Sequence, residues 1–275
     1  MASRRELLFR ARAGDPDAQF ELACAYDFDP PKNRPRAVYW YRKAAEQGHG
    51  EAQNFLGECL RDGVGTQPSR KEAVIWFRRA AEQGDSAAQV SLGYALFYGE
   101  GVKKNWAEAL SWYRKAAKHR HSSAQLNIGH MYRRGEGLRQ SWERAIRWYR
   151  KAADNGNVAA MQWLARVYSG QEDHSPDLEK RVMWLRRAAE HCDAQSQRLL
   201  GVCYVNGEGV EQDPEAGAAW YRQAVNHGDK WACYLLGLCY RDGTGVQQNW
   251  YWAKYWFRRA SAEGIKEAGR ALKRL

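Results

Sequence analysis

Residues 148–156 read WYRKAADNG: a tryptophan and a tyrosine, a basic pair, two alanines, and a glycine three residues later. The tryptophan is one of a series. Trp40, Trp76, Trp112, Trp148, Trp184, Trp220 and Trp256 each lie 36 residues after the one before. A fixed period of this length marks a repeat architecture, in which one small unit is copied along the chain. An aromatic residue follows every tryptophan of the series except Trp184, which precedes Leu185. A basic pair generally comes next, then usually two alanines.

Working outward, seven residues before the tryptophans stand Asn33, Ser69, Asn105, Ser141, Asp177, Asp213 and Asn249. Each has a short side chain able to accept from an unpaired helical N–H, so this column predicts helix N-caps. Ser69 with Glu72, and Asn105 with Glu108, resemble capping boxes. Eight residues after the tryptophans, Gly48, Gly84, Gly156, Gly228 and Gly264 predict left-handed helix stops. Arg120 and Cys192 interrupt that column, and strain or a different turn is expected there. A second helix type then opens at Asp15, Asp85, Asn157, Asp193 or Asp229, with Pro16 suited to a first turn. Within it, Ala88, Leu92 and Leu96 fall on one helical face. Gly57, Gly93, Gly129, Gly201 and Gly237 sit mid-helix, where glycine costs roughly 1 kcal/mol against alanine, so a close neighbour is expected.

Each unit is therefore a helix pair that cannot bury its apolar face alone, and stacking completes the core. The expectation is an all-α fold, a right-handed superhelical α/α solenoid forming a single domain over 1–275. Residues 1–14 give an N-terminal capping helix, 15–264 seven repeats, and 265–275 a C-terminal capping helix.

The pattern A-x-x-x-L-G-x-x-Y-x-x-G-x-G-V followed by A-x-x-W-[YF]-x-x-A-A resembles the Sel-one-like repeat (SLR), a relative of the tetratricopeptide repeat. Ala232, Leu236, Gly237, Tyr240, Gly243, Gly245 and Val246 carry its first half, and Ala253, Trp256, Phe257 and Ala260 its second. The first unit departs, its loop DFDPPK being two residues shorter, and so does the fifth, where SGQEDHSP replaces the glycine pair. The resemblance implies a non-catalytic adaptor or scaffold.

Other chemistry finds little support in the residues. The glycine pairs at Gly63, Gly99, Gly135, Gly207 and Gly243 invite a phosphate-loop reading, sharpest in YGEGVKKNWAEAL. A Walker loop needs Lys-Ser/Thr at the helix start, and five copies in one context are explained by turns. His49, His119, His121, His130, His174, His191 and His227 are scattered, and the His119–His121 pair lacks a clear third ligand. The six cysteines form no CxxC pair and are expected to be buried free thiols. No cofactor, metal or catalytic residue is expected. The start MASRRELLFRARAG is charged rather than apolar and no long apolar run follows, so the expectation is a cytoplasmic chain without membrane insertion.

The net charge of +11 raises nucleic acid as a partner. Basic pairs such as Arg78-Arg79 and Arg258-Arg259 form the column that would track phosphates. The alternative is that they complement helix dipoles while their stems cover apolar surface, and nucleic acid is not the expected partner. By analogy with tetratricopeptide solenoids, the first helix of each unit lines a concave face. Its varying positions comprise Asn54, Glu58 and Arg61; Val90, Tyr94, Phe97 and Tyr98; His130, Arg133 and Arg134; Gln162 and Arg166; Arg198; and Tyr234 and Arg241. Aromatic and basic side chains together suggest a protein or peptide partner with acidic and apolar groups. The expected function is a protein-binding scaffold or adaptor acting in signalling or as an immunity protein to a toxic effector. The alternative is a nucleic-acid-binding solenoid using the basic columns. Oligomeric state is left open. Trp106, Trp142, Trp163, Trp231, Trp250 and Trp252 stand outside the period, some expected between repeats and others as exposed anchors.

Overall fold

The computed structural model describes residues 4–170 and 175–275. His174 and the centre of the SGQEDHSP loop lie outside the described residues. Among the described residues there are sixteen helices and no strands. They are α1 (Arg4–Arg12), α2 (Pro16–Phe28), α3 (Arg34–Glu46), α4 (Gly50–Asp62), α5 (Arg70–Glu82), α6 (Ser86–Tyr98), α7 (Trp106–Lys118) and α8 (Ser122–Arg134). After them come α9 (Trp142–Asp154), α10 (Val158–Val167), α11 (Leu178–Glu190), α12 (Ala194–Asn206), α13 (Pro214–Asn226), α14 (Lys230–Asp242), α15 (Trp250–Ala262) and α16 (Lys266–Leu272). The chain forms two compact units, Met1–Asn155 and Gly156–Leu275. In each, every helix packs against the next, so helix pairs stack in the manner of a solenoid.

The caps account for the helix boundaries. All seven residues of the column before the tryptophans accept a hydrogen bond from the first turn of the odd-numbered helices α3 to α15. Asp85 does the same for α6, receiving the N–H of Ala88 at 2.7 Å. Two histidines share that column. His49 accepts from Ala52 N–H through Nδ1 at 3.2 Å, whereas His121 makes no such bond. At the opposite ends, Arg120 and Cys192 adopt the same left-handed conformation as the glycines they replace, both with φ of 61°. The turn keeps its shape there and carries the strain that a Cβ imposes.

The mid-helix glycines are explained by a ring rather than by a backbone. A Cβ at Gly57 would stand 2.5 Å from Phe77 Cε1, and the same holds for Gly129 against Tyr149. Gly93, Gly201 and Gly237 face Tyr113, Tyr221 and Phe257 in the same way. In these five repeats the aromatic residue after the tryptophan thus packs against the preceding helix, and the glycine makes room.

A second framework element is a column of glutamines that composition and spacing do not mark as buried. Buried Gln19, Gln53, Gln89, Gln125 and Gln197 each donate Nε2–H to the carbonyl of the residue eight positions earlier, at 3.0 to 3.5 Å. Gln19 and Gln53 accept in turn from Gln47 and Gln83, and Gln125 from Asn155. Buried amides thereby link one pair to the next, each bond contributing about 1 kcal/mol net. Their recurrence after Ala18, Ala52, Ala88 and Ala124 was the available signal.

Of the cysteines, Cys59, Cys203, Cys233 and Cys239 are buried and Cys24 half-buried, all unpaired. Cys192 departs from the expectation: it lies exposed in the turn after α11. Among the described residues, no helix is long and apolar enough to cross a membrane.

Candidate functional site

The candidate residues lie on the even-numbered helices, but they are not equally displayed. In the first unit, Tyr94 and Tyr98 on α6 are 41% and 52% exposed, their ring centroids 4.5 Å apart. They are four residues apart and so stand on one helical face. Tyr94 borders a cleft of about 320 Å³ shared with Arg61, Asp62, Arg70 and Glu100. Arg61 is held there by the Asp62 carboxylate through two bonds of 2.7 and 2.8 Å, and Arg70 lies 3.7 Å from Glu100. Glu58 is half-buried, and burial raises its carboxyl above the usual range.

Three expected surface positions of this unit serve the core instead. Asn54 is buried. Phe97 is buried and packs 6.4 Å from Trp106. His130 Nδ1 lies 2.8 Å from the Tyr149 hydroxyl, and burial, with Arg133 and Arg134 nearby, pushes its pKa down to about 4. Val90 is half-buried, and Arg134 lies 3.8 Å from Glu136. Arg133 is half-buried on α8, one repeat on from Phe97.

In the second unit, Gln162 donates to Asp193 at 2.9 Å and Arg166 lies 5.1 Å from the Trp163 ring centroid. Both border a cleft of about 380 Å³ between α10, α11 and α12 that also touches Ser169, Arg181, Leu185 and Ser196. Arg198 is bonded to Asp229 at 2.9 Å, Tyr234 packs against Phe257, and Arg241 is paired with Asp242. The structure therefore offers one aromatic patch in the first unit and one polar cleft in the second. The remaining charges of the second-unit stripe are largely neutralised locally.

The basic columns have internal roles. Arg42 bonds Glu72 of the next repeat, and Arg78 bonds Glu108 at 2.8 Å. The second basic residue lies over its own repeat tryptophan, as Lys115 does 3.7 Å from the Trp112 centroid and Arg79 does at 4.6 Å from Trp76. Cations spent on acidic neighbours and aromatic faces leave less field for phosphates.

Exposed aromatics that the stripe did not include gather on α15. Trp250, Tyr251, Trp252 and Tyr255 are all exposed, and Trp252 lies 5.4 Å from both Tyr251 and Tyr255. The aromatic density of NWYWAKYWF was the signal, but only the fold reveals which rings face out.

The sequence model of the Sel1 repeat family matches residues 16–49, 50–85, 86–121, 122–157, 158–191, 194–229 and 232–265. A protective antigen present in uropathogenic Escherichia coli strains, displaying an SLR fold, is 30% identical with a TM-score of 0.85. The match covers 99% of this chain and 59% of the antigen chain. A Sel1 repeat protein from Oxalobacter formigenes is also 30% identical, with a TM-score of 0.82 over 98% of this chain and 80% of that one. Human wolframin is 45% identical over 62 residues, which span 21% of this chain and 7% of wolframin.

Proposed function

The chain belongs to the Sel1 repeat family, and from that premise we propose that it is a non-catalytic protein-binding scaffold engaging its partner through the even-numbered helices. The observation that supports this is the exposed Tyr94–Tyr98 pair beside Arg61 and Arg70. Solvated rings flanked by cations suit a segment carrying both apolar and acidic groups, and aromatic and arginine side chains dominate interface energetics. The framework columns repeat from unit to unit while these positions vary, as expected when one scaffold presents a particular surface.

Affinity capture from the native cell tests the reading. Wild-type protein should retain a protein partner that is lost when Tyr94→Ala, Arg133→Glu and Arg166→Glu are combined. Undiminished capture by the triple variant would sink the assignment of this face. A signalling role and an immunity role make the same prediction at this surface and separate by the partner recovered, a toxic effector supporting the second. For nucleic acid, an electrophoretic shift at low salt should give no complex. A complex whose affinity falls steeply with salt would favour the basic columns instead.

A further inference from the structure

Four framework columns depart from the repeat at a single place, where α10, α11 and α12 meet. Ala165 stands in the mid-helix glycine column and Leu185 in the aromatic column. These two compensate each other, since the extra methyl enters space that a ring would fill. The other two have no such packing counterpart. Arg181 occupies the column otherwise held by Ala37, Ala73, Ala109, Ala145, Gly217 and Ala253. Ser196 occupies the column of Ala52, Ala88, Ala124, Ala160 and Ala232. A guanidinium and a hydroxyl thus stand where every other unit has a hydrogen or a methyl group.

Exchanging the ring for leucine accompanies the cleft of about 380 Å³, within the range of about 300–1,000 Å³ for ligand pockets. Its chemistry is specific. Ser196 lines the cleft, is 0% exposed, and its Oγ has no hydrogen-bond partner. A buried hydroxyl left unmatched is costly, so an acceptor brought by a ligand would recover that loss. The side chain of Arg181 is 16% exposed, and its Nη1 is held by Glu208 at 2.9 Å, which fixes the guanidinium in place. Arg166 brings a second cation at the rim, beside the Trp163 face. Leu185 and Leu199 supply apolar wall. Donors and cations converge on an acceptor, next to a surface for a hydrocarbon group.

We infer that this cleft is a recognition pocket for a carboxylate-bearing apolar anchor on a partner peptide, the carboxylate meeting Arg181, Arg166 and the Ser196 hydroxyl. The inference rests on the reading of the chain as a protein-binding scaffold. It is favoured by the position of Gln162 and Arg166, which line the cleft from α10, so that a segment lying along the even-numbered helices of the second unit can set one anchor into the cleft.

The test uses the full chain and fluorescein-labelled, N-acetylated, C-amidated hexapeptides centred on Leu-Glu or Phe-Glu, with Gln-for-Glu counterparts, followed by fluorescence anisotropy. The Glu peptides should bind about tenfold or more tighter than the Gln peptides, as loss of a charge-assisted hydrogen bond requires. The variant Ala165→Gly, Arg181→Ala, Leu185→Tyr, Ser196→Ala restores the repeat's own framework. It should stay helical by circular dichroism and lose about tenfold or more of the affinity. Ser196→Ala alone should weaken the Glu peptides and leave the Gln peptides unchanged. No binding to wild type at about 1 mM peptide, equal binding of Glu and Gln peptides, or undiminished binding by the restored variant overturns the pocket. Displacement by free 4-phenylbutyrate at peptide-equivalent concentration assigns the cleft to a small carboxylic acid and overturns the peptide occupant. Cellular capture run in parallel separates the two claims. Partner capture without peptide binding removes the pocket alone, and absence of any captured partner removes the scaffold reading.

Discussion

Replacing Gly57 by alanine asks whether the ring-on-glycine contact organises the repeat. The new Cβ would lie 2.5 Å from Phe77 Cε1 and 2.7 Å from Cδ1, against the roughly 3.5–4.0 Å that carbon atoms prefer. Phe77 is 1% exposed and cannot swing aside. Alanine gains about 1 kcal/mol of helix propensity, while overpacking of this kind costs about 1–3 kcal/mol. Gly57→Ala should therefore range from neutral to about 2 kcal/mol destabilising. Phe77→Leu alone should cost about 1–2 kcal/mol, because the ring's space is left partly empty. Together they should cost less than the sum by about 1 kcal/mol or more, since the methyl then enters the vacated space. The chain already contains that solution as Ala165 with Leu185. Urea denaturation of the wild type, both single variants and the double variant measures the coupling. Additivity within about 0.5 kcal/mol would refute the reasoning.

Gln53→Leu removes a buried bond to the Ala45 carbonyl and another from Gln83, and should cost about 1–3 kcal/mol. Gln89→Leu should cost less, because Gln89 Oε1 is buried without a hydrogen-bond partner; equal midpoint shifts in urea would contradict this ladder. Cys192→Gly relieves a left-handed residue with φ of 61° and should raise the melting temperature, by a stabilisation of about 0.5–1 kcal/mol. A lower melting temperature would show that the turn is not strained. His130, lowered from 6.5 to about 4, stays neutral in the folded chain while the unfolded chain takes up a proton below pH 6.5. Its contribution is thus present at neutral pH and is lost as the pH falls from 6.5 towards 4, by up to about 3 kcal/mol at about 1.4 kcal/mol per pH unit. His130→Gln should flatten that part of the stability–pH curve, and identical slopes for the two proteins would rule it out.

The fold was legible because its determinants are local and periodic. A cap such as Asn105, a stop such as Gly84 and a tryptophan every 36 residues each reveal themselves by recurrence, whatever lies around them. The buried glutamines recur as well, yet glutamine reads as a surface residue until a packed structure shows what its amide reaches. The candidate surface was less legible. Spacing from the opening alanine identifies a helical face, but not which members of that face meet the neighbouring pair. Asn54 and Phe97 have the same register as displayed residues and are covered, while His130 is engaged by a tyrosine on the next helix. Tyr251, Trp252 and Tyr255 pose the converse case. Their exposure depends on which side of α15 is covered, and no residue within α15 records that.

Recurrence also gives departures from the pattern their meaning. A column that varies freely, as at Tyr94 or Arg133, carries little structural constraint and can be shaped by whatever it touches. A departure matched by a second one, as Ala165 is by Leu185, preserves packing and needs no further cause. Arg120 and Cys192 hold the glycine conformation at the cost of strain confined to one residue. Arg181 and Ser196 belong to none of these classes. Each introduces a polar group into a buried alanine column, the two line the same cleft, and one is left without a hydrogen-bond partner. Internal packing alone would favour alanine at both positions, as the other units have at nearly every equivalent site. The unmatched Ser196 hydroxyl of the unbound chain is best accounted for by a group that arrives from outside.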